Sequence, residues 1–572
     1  MKKRIISIIM ALALSLAMFT SCGGSTGSSD GERVDPYESG KVDLDKAQLR
    51  ITCWNGDFGL EWLNKIARRF EEFYSEHSFD GGKTKGVQVT VNPGGHVYGT
   101  SNLLNNVEEI SIGEQSNYYE AVNGQVALDI TDAVTTPLTE FGETKSIEDK
   151  FLSEDDITYY GSLGSKQTKT YYGLPWYESF MGFQYDIAYF EDNNLYFAAD
   201  GMGLNGFVTN KNMPKSKGPD GVAGNSDDGL PATYDDFFKL LDKITDLGDE
   251  AVAWAGNAQV YINNLLSSLA ADYNGYEQMT MHYTLDGEYT NAISVLNADG
   301  SYETSTQTLN ESNGYLTRQS AGLYEGLKFI ERLITTKDNG EYKYFNATHC
   351  TTTSYNHRFA QRKFLEGGFV DGAPRVGLLI DGSWWYAGAA SIFKEMSSLP
   401  GAGAMDRRIG FMPFPKADAS KIGEATFINN WPTSIHVRAN VESSKVEMAK
   451  QFIRFMHTDE SLSEFTMVTS GTRPFKYQLL DKHVSNTSYY GKQMMELHNT
   501  AKIVNPWSTT PLVLDNLNAF MMNDTIYGTT VAGVGYKNIT TAMLKGVSAK
   551  AYFEGLDTNS KSEWDGLYSK YY

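Results

Sequence analysis

Flat aromatic faces set beside carboxylates and amides suit sugar recognition. The apolar face of a sugar ring stacks on an aromatic ring, and its paired hydroxyls need fixed hydrogen-bonding groups. This chain of 572 residues is 13% aromatic, with 35 tyrosines and 9 tryptophans. Several of these rings stand where a strand or turn ends. Trp54 closes the alternating stretch 48–54, and Asp57 follows on the next turn. Trp176, Tyr177 and Glu178 follow Pro175, Trp254 ends VAWAGN, Trp384 and Trp385 end a short apolar run, and Asn430 and Trp431 precede Pro432. Core packing competes for each of these rings, and Trp385, facing opposite to Trp384, is expected in the core.

A second chemistry is written into residues 219–229, PDGVAGNSDDG. Asp220, Asn225, Asp227 and Asp228 lie on a glycine-rich loop, and a hard cation such as Ca²⁺ wants several oxygens on a sharply turning chain. The loop is similar to acidic calcium loops of extracellular proteins but lacks the EF-hand spacing. It is read either as a structural Ca²⁺ site or as a solvated acidic turn. Catalytic patterns are thin: residues 23–27 fit GxSxG, but in a segment that cannot form the strand-turn-helix that pattern needs. No HExxH or P-loop occurs, and the 9 histidines are scattered.

The N-terminus has the layout of a secretory signal: Lys2, Lys3 and Arg4, the apolar run 5–19, then Thr20, Ser21 and Cys22. Residues 19–22 resemble a bacterial lipobox, with Phe19 where Leu is usual. The resemblance implies a lipidated Cys22, a flexible tether over 23–44, and a soluble body held outside the membrane. A formal charge of −21 opposes nucleic acid and anionic lipid alike. Cys53 and Cys350 are expected as buried thiols, a disulfide being the alternative.

The elements that must position these residues follow from periodicity. Residues 48–54 alternate as a strand; Leu60, Leu63, Ile66, Phe70 and Phe73 recur at helical steps; Val87, Val89 and Val91 alternate again. Strand, helix, strand predicts a parallel α/β sheet. Thr233 is expected to cap a helix bearing Phe237, Leu240, Leu241 and Ile244. Helices are also predicted over 103–110, 321–335, 356–366, 445–456 and 461–468. A broken strand is expected over 171–180, strands over 375–380 and 409–413, and hairpins over 275–313.

In this order the segments resemble the extracellular solute-binding proteins of bacterial ABC importers, in the carbohydrate-binding group. The similarity is carried by YGLP (172–175), YDIAYFE (185–191), LPATYDDF (230–237), GSW (382–384), GFMPFP (410–415), and the helix pair 449–471 with Arg473 and Pro474 after it. It implies a two-lobed α/β fold with a hinge and a ligand cleft. The implied division is 45–180 with 432–505 as lobe 1 and 181–431 with 506–572 as lobe 2, with insertions near 196–229 and 275–313. The implied crossings lie near 178–182, 427–432 and Trp507, which adds Arg473 and the crossing residues to the ligand-binding set. The implied activity is non-enzymatic capture of a carbohydrate, passed to the permease of an ABC transporter by a monomer that binds no nucleic acid. Two alternatives remain: a helical surface glycan-binding lipoprotein, and a glycoside hydrolase using two of the chain's carboxylates.

Overall fold

The computed structural model describes residues 42–95, 100–114, 118–163, 168–431, 433–516 and 538–572. The signal segment, Cys22, most of the tether, Pro432 and part of the tail lie outside them. Among the described residues no helix is long and apolar enough to cross a membrane.

Two four-stranded sheets form the centres of two lobes. In chain order the strands are β1 (Ala47–Trp54), β2 (Val87–Gly94), β3 (Ile110–Glu114), β4 (Met181–Asp186), β5 (Glu250–Ala253), β6 (Val376–Gly382), β7 (Ile409–Met412) and β8 (Thr433–Val437). The first sheet has the order β8-β3-β1-β2 and the second β7-β4-β6-β5. β1 runs parallel to β2 from Ala47↔Val87 to Trp54↔Gly94, and parallel to β3. Helix α1 (Glu61–Phe73) makes the crossover and buries Trp62, Leu63, Ile66 and Phe70, so the predicted βαβ unit is present. In the second sheet β5 is parallel to β6, while β4 and β7 run antiparallel to their neighbours. β3 and β6 are buried along their whole lengths, as strands covered on both faces are.

Helix α2 (Tyr234–Asp246) starts where its cap predicts, the Thr233 hydroxyl accepting from Asp236 N. It is followed by α3 (Val260–Asn274), α4 (Ala321–Thr335) and α5 (His357–Glu366), then α6 (Ser443–Phe455), α7 (Asp459–Thr469) and α8 (Tyr489–Thr500). Three expectations change. Residues 171–180 form no strand and pair only through the isolated bridge Leu174↔Ile435, because Pro175 removes a donor and the segment is crossing between lobes. Residues 275–313 form a helix, Tyr276–Thr284, before a single hairpin, Gly287–Leu296 with Tyr302–Leu309. The helix buries Met279, His282 and Tyr283, a stripe masked by its polar neighbours. The helix expected over 103–110 is confined to Thr100–Asn105, since Ile110 already begins β3. Cys53 and Cys350 are free and buried, and burial pushes both thiols up.

Three chain segments run together between the sheets. Thr426–Ile428 pairs in parallel with Lys502–Val504, and Asn429 N donates to Val504 O at 2.8 Å. Ser179 ties the first crossing to the second: its N and Oγ donate to Asn429 Oδ1 at 3.1 and 2.8 Å, and its carbonyl accepts Asn430 N at 2.7 Å. Helix α8 serves both sides, with Gln493 on the Phe411 backbone of β7 and His498 on Glu178.

Candidate functional site

A cavity of about 170 Å³ lies between the lobes, lined by Trp54, Asp57, Glu114, Val260, Tyr261, Asn264, Trp384 and Trp431. Its wall follows from topology. Trp54 and Glu114 end the parallel strands β1 and β3, and Trp384 comes just after the end of β6, so both sheets aim their strand carboxyl ends at it. Val260, Tyr261 and Asn264 lie within the first five residues of α3, and Trp431 stands on the second crossing. The lobes meet here: a methyl group on Gly388, beyond β6, would lie 2.9 Å from Asp57 Oδ1. Gly56 lies beneath the Trp54 ring and Gly382 beneath the Trp384 ring, so close that a β-carbon at either position would occupy the space of the ring.

The polar groups are fixed from behind. Glu114 is held by the Tyr177 hydroxyl, and burial pushes its carboxyl up to about 8 despite that bond. Burial also raises the Asp57 carboxyl, against the pull of His357 and Arg358 of α5. Asp381, on β6, is pushed up to about 7 by burial and is backed by Gln361 Nε2 at 3.2 Å and Gly382 N at 2.8 Å. It is also hydrogen-bonded to Tyr261, and so orients that ring from below. Asn264 lines the cavity, and its Oδ1 is buried with no hydrogen-bond partner. The wall therefore offers four aromatic rings with carboxyl and amide groups between them, a surface for stacking and hydroxyl pairing.

Of the residues singled out in the sequence, Trp54, Asp57, Trp384 and Trp431 line this cavity. Trp176 does not: it is 0% exposed, stacks on Trp62 at 5.6 Å and 14°, and donates from Nε1 to Gly113 O at 2.8 Å. Tyr177 is buried beside it and acts through Glu114. Glu178 is buried against His498 Nδ1 at 2.8 Å, and Trp254 is buried against Phe345. Asn430 is 4% exposed within the crossing. Arg473 is fully buried and spends its guanidinium on Trp176 O, Met456 O and His457 Nε2, bracing the first crossing from inside. Glu114, Tyr261 and Asn264 were not singled out. The i, i+3 pair Tyr261 and Asn264, a few residues beyond VAWAGN (252–257), was the available signal.

A larger cavity, about 640 Å³, opens between residues 142–152 and 459–499. Its wall is mainly charged and polar, carries the single aromatic side chain of Tyr477 besides His498, and takes nothing from the second sheet, so the smaller cavity is the better site.

The family model for bacterial extracellular solute-binding proteins matches residues 83–488. The chain belongs to that family. As a solute-binding protein it is a binder rather than a catalyst, and it works outside the cytoplasm. No curated protein matches the chain. Among solved structures, apo RafE from Streptococcus pneumoniae is 12% identical, covers 91% of this chain and 99% of its own, and has a TM-score of 0.51; it shows the shared fold. T. maritima MalE3 with maltose is 12% identical, covers 90% of this chain and 99% of its own, and has a TM-score of 0.49. A chitin oligosaccharide binding protein is 15% identical over 90% of this chain and 99% of its own, with a TM-score of 0.47. The two four-stranded sheets, together with the family, set aside the helical glycan-binding alternative. The solute-binding family replaces the hydrolase alternative.

Proposed function

We propose that this solute-binding protein captures a carbohydrate between its lobes and passes it to the permease of an ABC importer while Cys22, lipidated, tethers it to the membrane. The observation that carries the ligand class is the cavity wall, where Trp54, Tyr261, Trp384 and Trp431 surround Asp57, Glu114 and Asn264. At about 170 Å³ the cavity is smaller than the roughly 300–1,000 Å³ of pockets for drug-sized ligands. It matches one small ring, and a longer glycan enters with the lobes further apart.

A thermal-shift screen against a glycan panel tests this. A ligand at a hundred times its dissociation constant adds about 2.7 kcal/mol of stability. The matching glycan is expected to raise the melting temperature and be recovered intact. Amino acids or peptides stabilising the protein while every glycan fails would overturn the ligand class.

A further inference from the structure

The loop ahead of α2 shares no residue with the cleft and carries a chemistry of its own. It turns on glycines in the left-handed region, Gly218 (φ 65), Gly221 (φ 75), Gly224 (φ 94) and Gly229 (φ 82). The turn folds onto itself, so that a methyl group on Gly218 would lie 2.9 Å from Asp227 Cγ. Asp227 is 6% exposed, yet its Oδ1 has no hydrogen-bond partner and its Oδ2 receives one long bond, from Asp220 N at 3.4 Å. Asn225 Oδ1 and Asp228 Oδ1 are likewise buried without a donor. Three orphaned acceptor oxygens therefore fall within four residues. A buried acceptor left alone forfeits its solvation without a bond in return, and a cation entering the loop would restore it.

The charge is equally uncompensated. Among the described residues none of Asp220, Asp227, Asp228 and Glu496 is in an ion pair, and Glu496 accepts Ser226 N at 3.0 Å at the loop's edge. Lys215, the cation that senses Asp228, sits 3.3 Å over the Tyr196 ring.

We propose that this loop is a Ca²⁺ site in which Asp220, Asn225, Asp227 and Asp228 supply side-chain oxygens. Among the described residues no three His, Cys, Asp or Glu side chains converge as a ready metal cluster. Asn225 and loop carbonyls therefore complete the shell, and the carboxylates draw in as the ion enters. Asn225 Nδ2 lies 2.6 Å from Asp220 Oδ2, and turning the amide over puts its oxygen beside that carboxylate. Oxygen-only ligands on a pliable loop suit Ca²⁺, which accepts 6–8 oxygens at about 2.3–2.6 Å, better than Mg²⁺, which demands a tight octahedron. Bound there, the ion pins residues 218–229 against α8, which supplies Glu496.

The test is the melting temperature of chelator-stripped whole protein with and without CaCl₂, with Tb³⁺ luminescence as a second readout. Ca²⁺ is expected to raise the melting temperature by several degrees and Mg²⁺ by less. Asp227→Asn and Asp228→Asn are expected to lose the rise. Stripped Asp227→Asn should melt no lower than the stripped parent, because the substitution removes a buried, uncompensated charge. No rise in the parent, or a rise that survives in both variants, overturns the proposal. Trp431→Ala, which disables the cleft alone, is expected to keep the full Ca²⁺ response, so the two sites fail independently.

Discussion

Trp176 and Trp431 stand on the two crossings, and the structure assigns them opposite work. Trp176 is wholly enclosed by Trp62, Phe58, Tyr177 and Phe465, and its Nε1 satisfies the Gly113 carbonyl of β3. Trp176→Ala removes a full core ring, about 3–5 kcal/mol. At about 2–4 °C per kcal/mol for a lobe-sized domain, the melting temperature should fall by roughly 6–20 °C. Trp431 is partly exposed and lines the cavity. Its ring is covered fully only when ligand arrives, so Trp431→Ala should cost about 1.5–3 kcal/mol of binding, roughly ten- to hundred-fold, with a small change in melting. The assay pairs thermal melting of the free proteins with calorimetric titration of whichever glycan stabilises the parent. A Trp176→Ala variant that melts like the parent but loses the glycan would put that ring in the cleft and refute the assignment.

Gly382→Ala should weaken glycan binding as much as Trp384→Ala does, because the added methyl group displaces the Trp384 ring; titration of both variants checks this, and unchanged affinity for Gly382→Ala would free that ring from the site. Glu114, raised from 4.5 to about 8, costs stability as pH climbs through that window, so Glu114→Gln should flatten the fall in melting temperature between about pH 4.5 and 8; a slope equal to the parent's counts against a buried neutral acid. His436 and His282 are buried and depressed to about 4 and about 3; they leave the fold intact above about pH 6.5 and withdraw stability as pH drops toward those values. An acid melt series should therefore steepen below pH 6.5, and His436→Gln should blunt it. Cys22→Ala is expected to move the protein from the membrane fraction to the medium, and a variant that stays membrane-bound removes the lipid anchor.

The framework was legible in the sequence where a single periodicity held over a whole element. The alternating Leu49, Ile51 and Cys53, the helical step from Leu63 to Phe70, and the Thr233 cap each depend on neighbours in sequence, and all three stand in the structure. Residues 276–284 escaped because Met279, His282 and Tyr283 are the whole of the buried stripe, set among glycine and polar turn signals. The site was legible only by position. A strand end or crossing says where a ring sits along the chain, not which way it faces, and neighbours there diverge. Trp384 lines the cavity while Trp385 is sealed in the core beside Phe364 and Tyr490.

That divergence has a physical origin in the crossings. A segment leaving one sheet and entering another satisfies only part of its backbone through a ladder, so side chains must satisfy much of the rest. Here the side chains of Ser179, Asn429, Ser383 and Arg473 fill that role from within, with Asn505 Oδ1 accepting from Asn429 Nδ2 at 3.0 Å. Residues that look like free hydrogen-bonding groups for a ligand are thus consumed by the chain itself. Several cavity residues have backbone already paired, Trp54 and Glu114 at strand ends and Tyr261 and Asn264 near the start of a helix, and on the crossing Trp431 N is satisfied by Ser179 Oγ at 3.0 Å, which leaves its ring to the cavity. Side chains freed from backbone duty line the cavity, Asn264 with its buried, unpartnered Oδ1 among them.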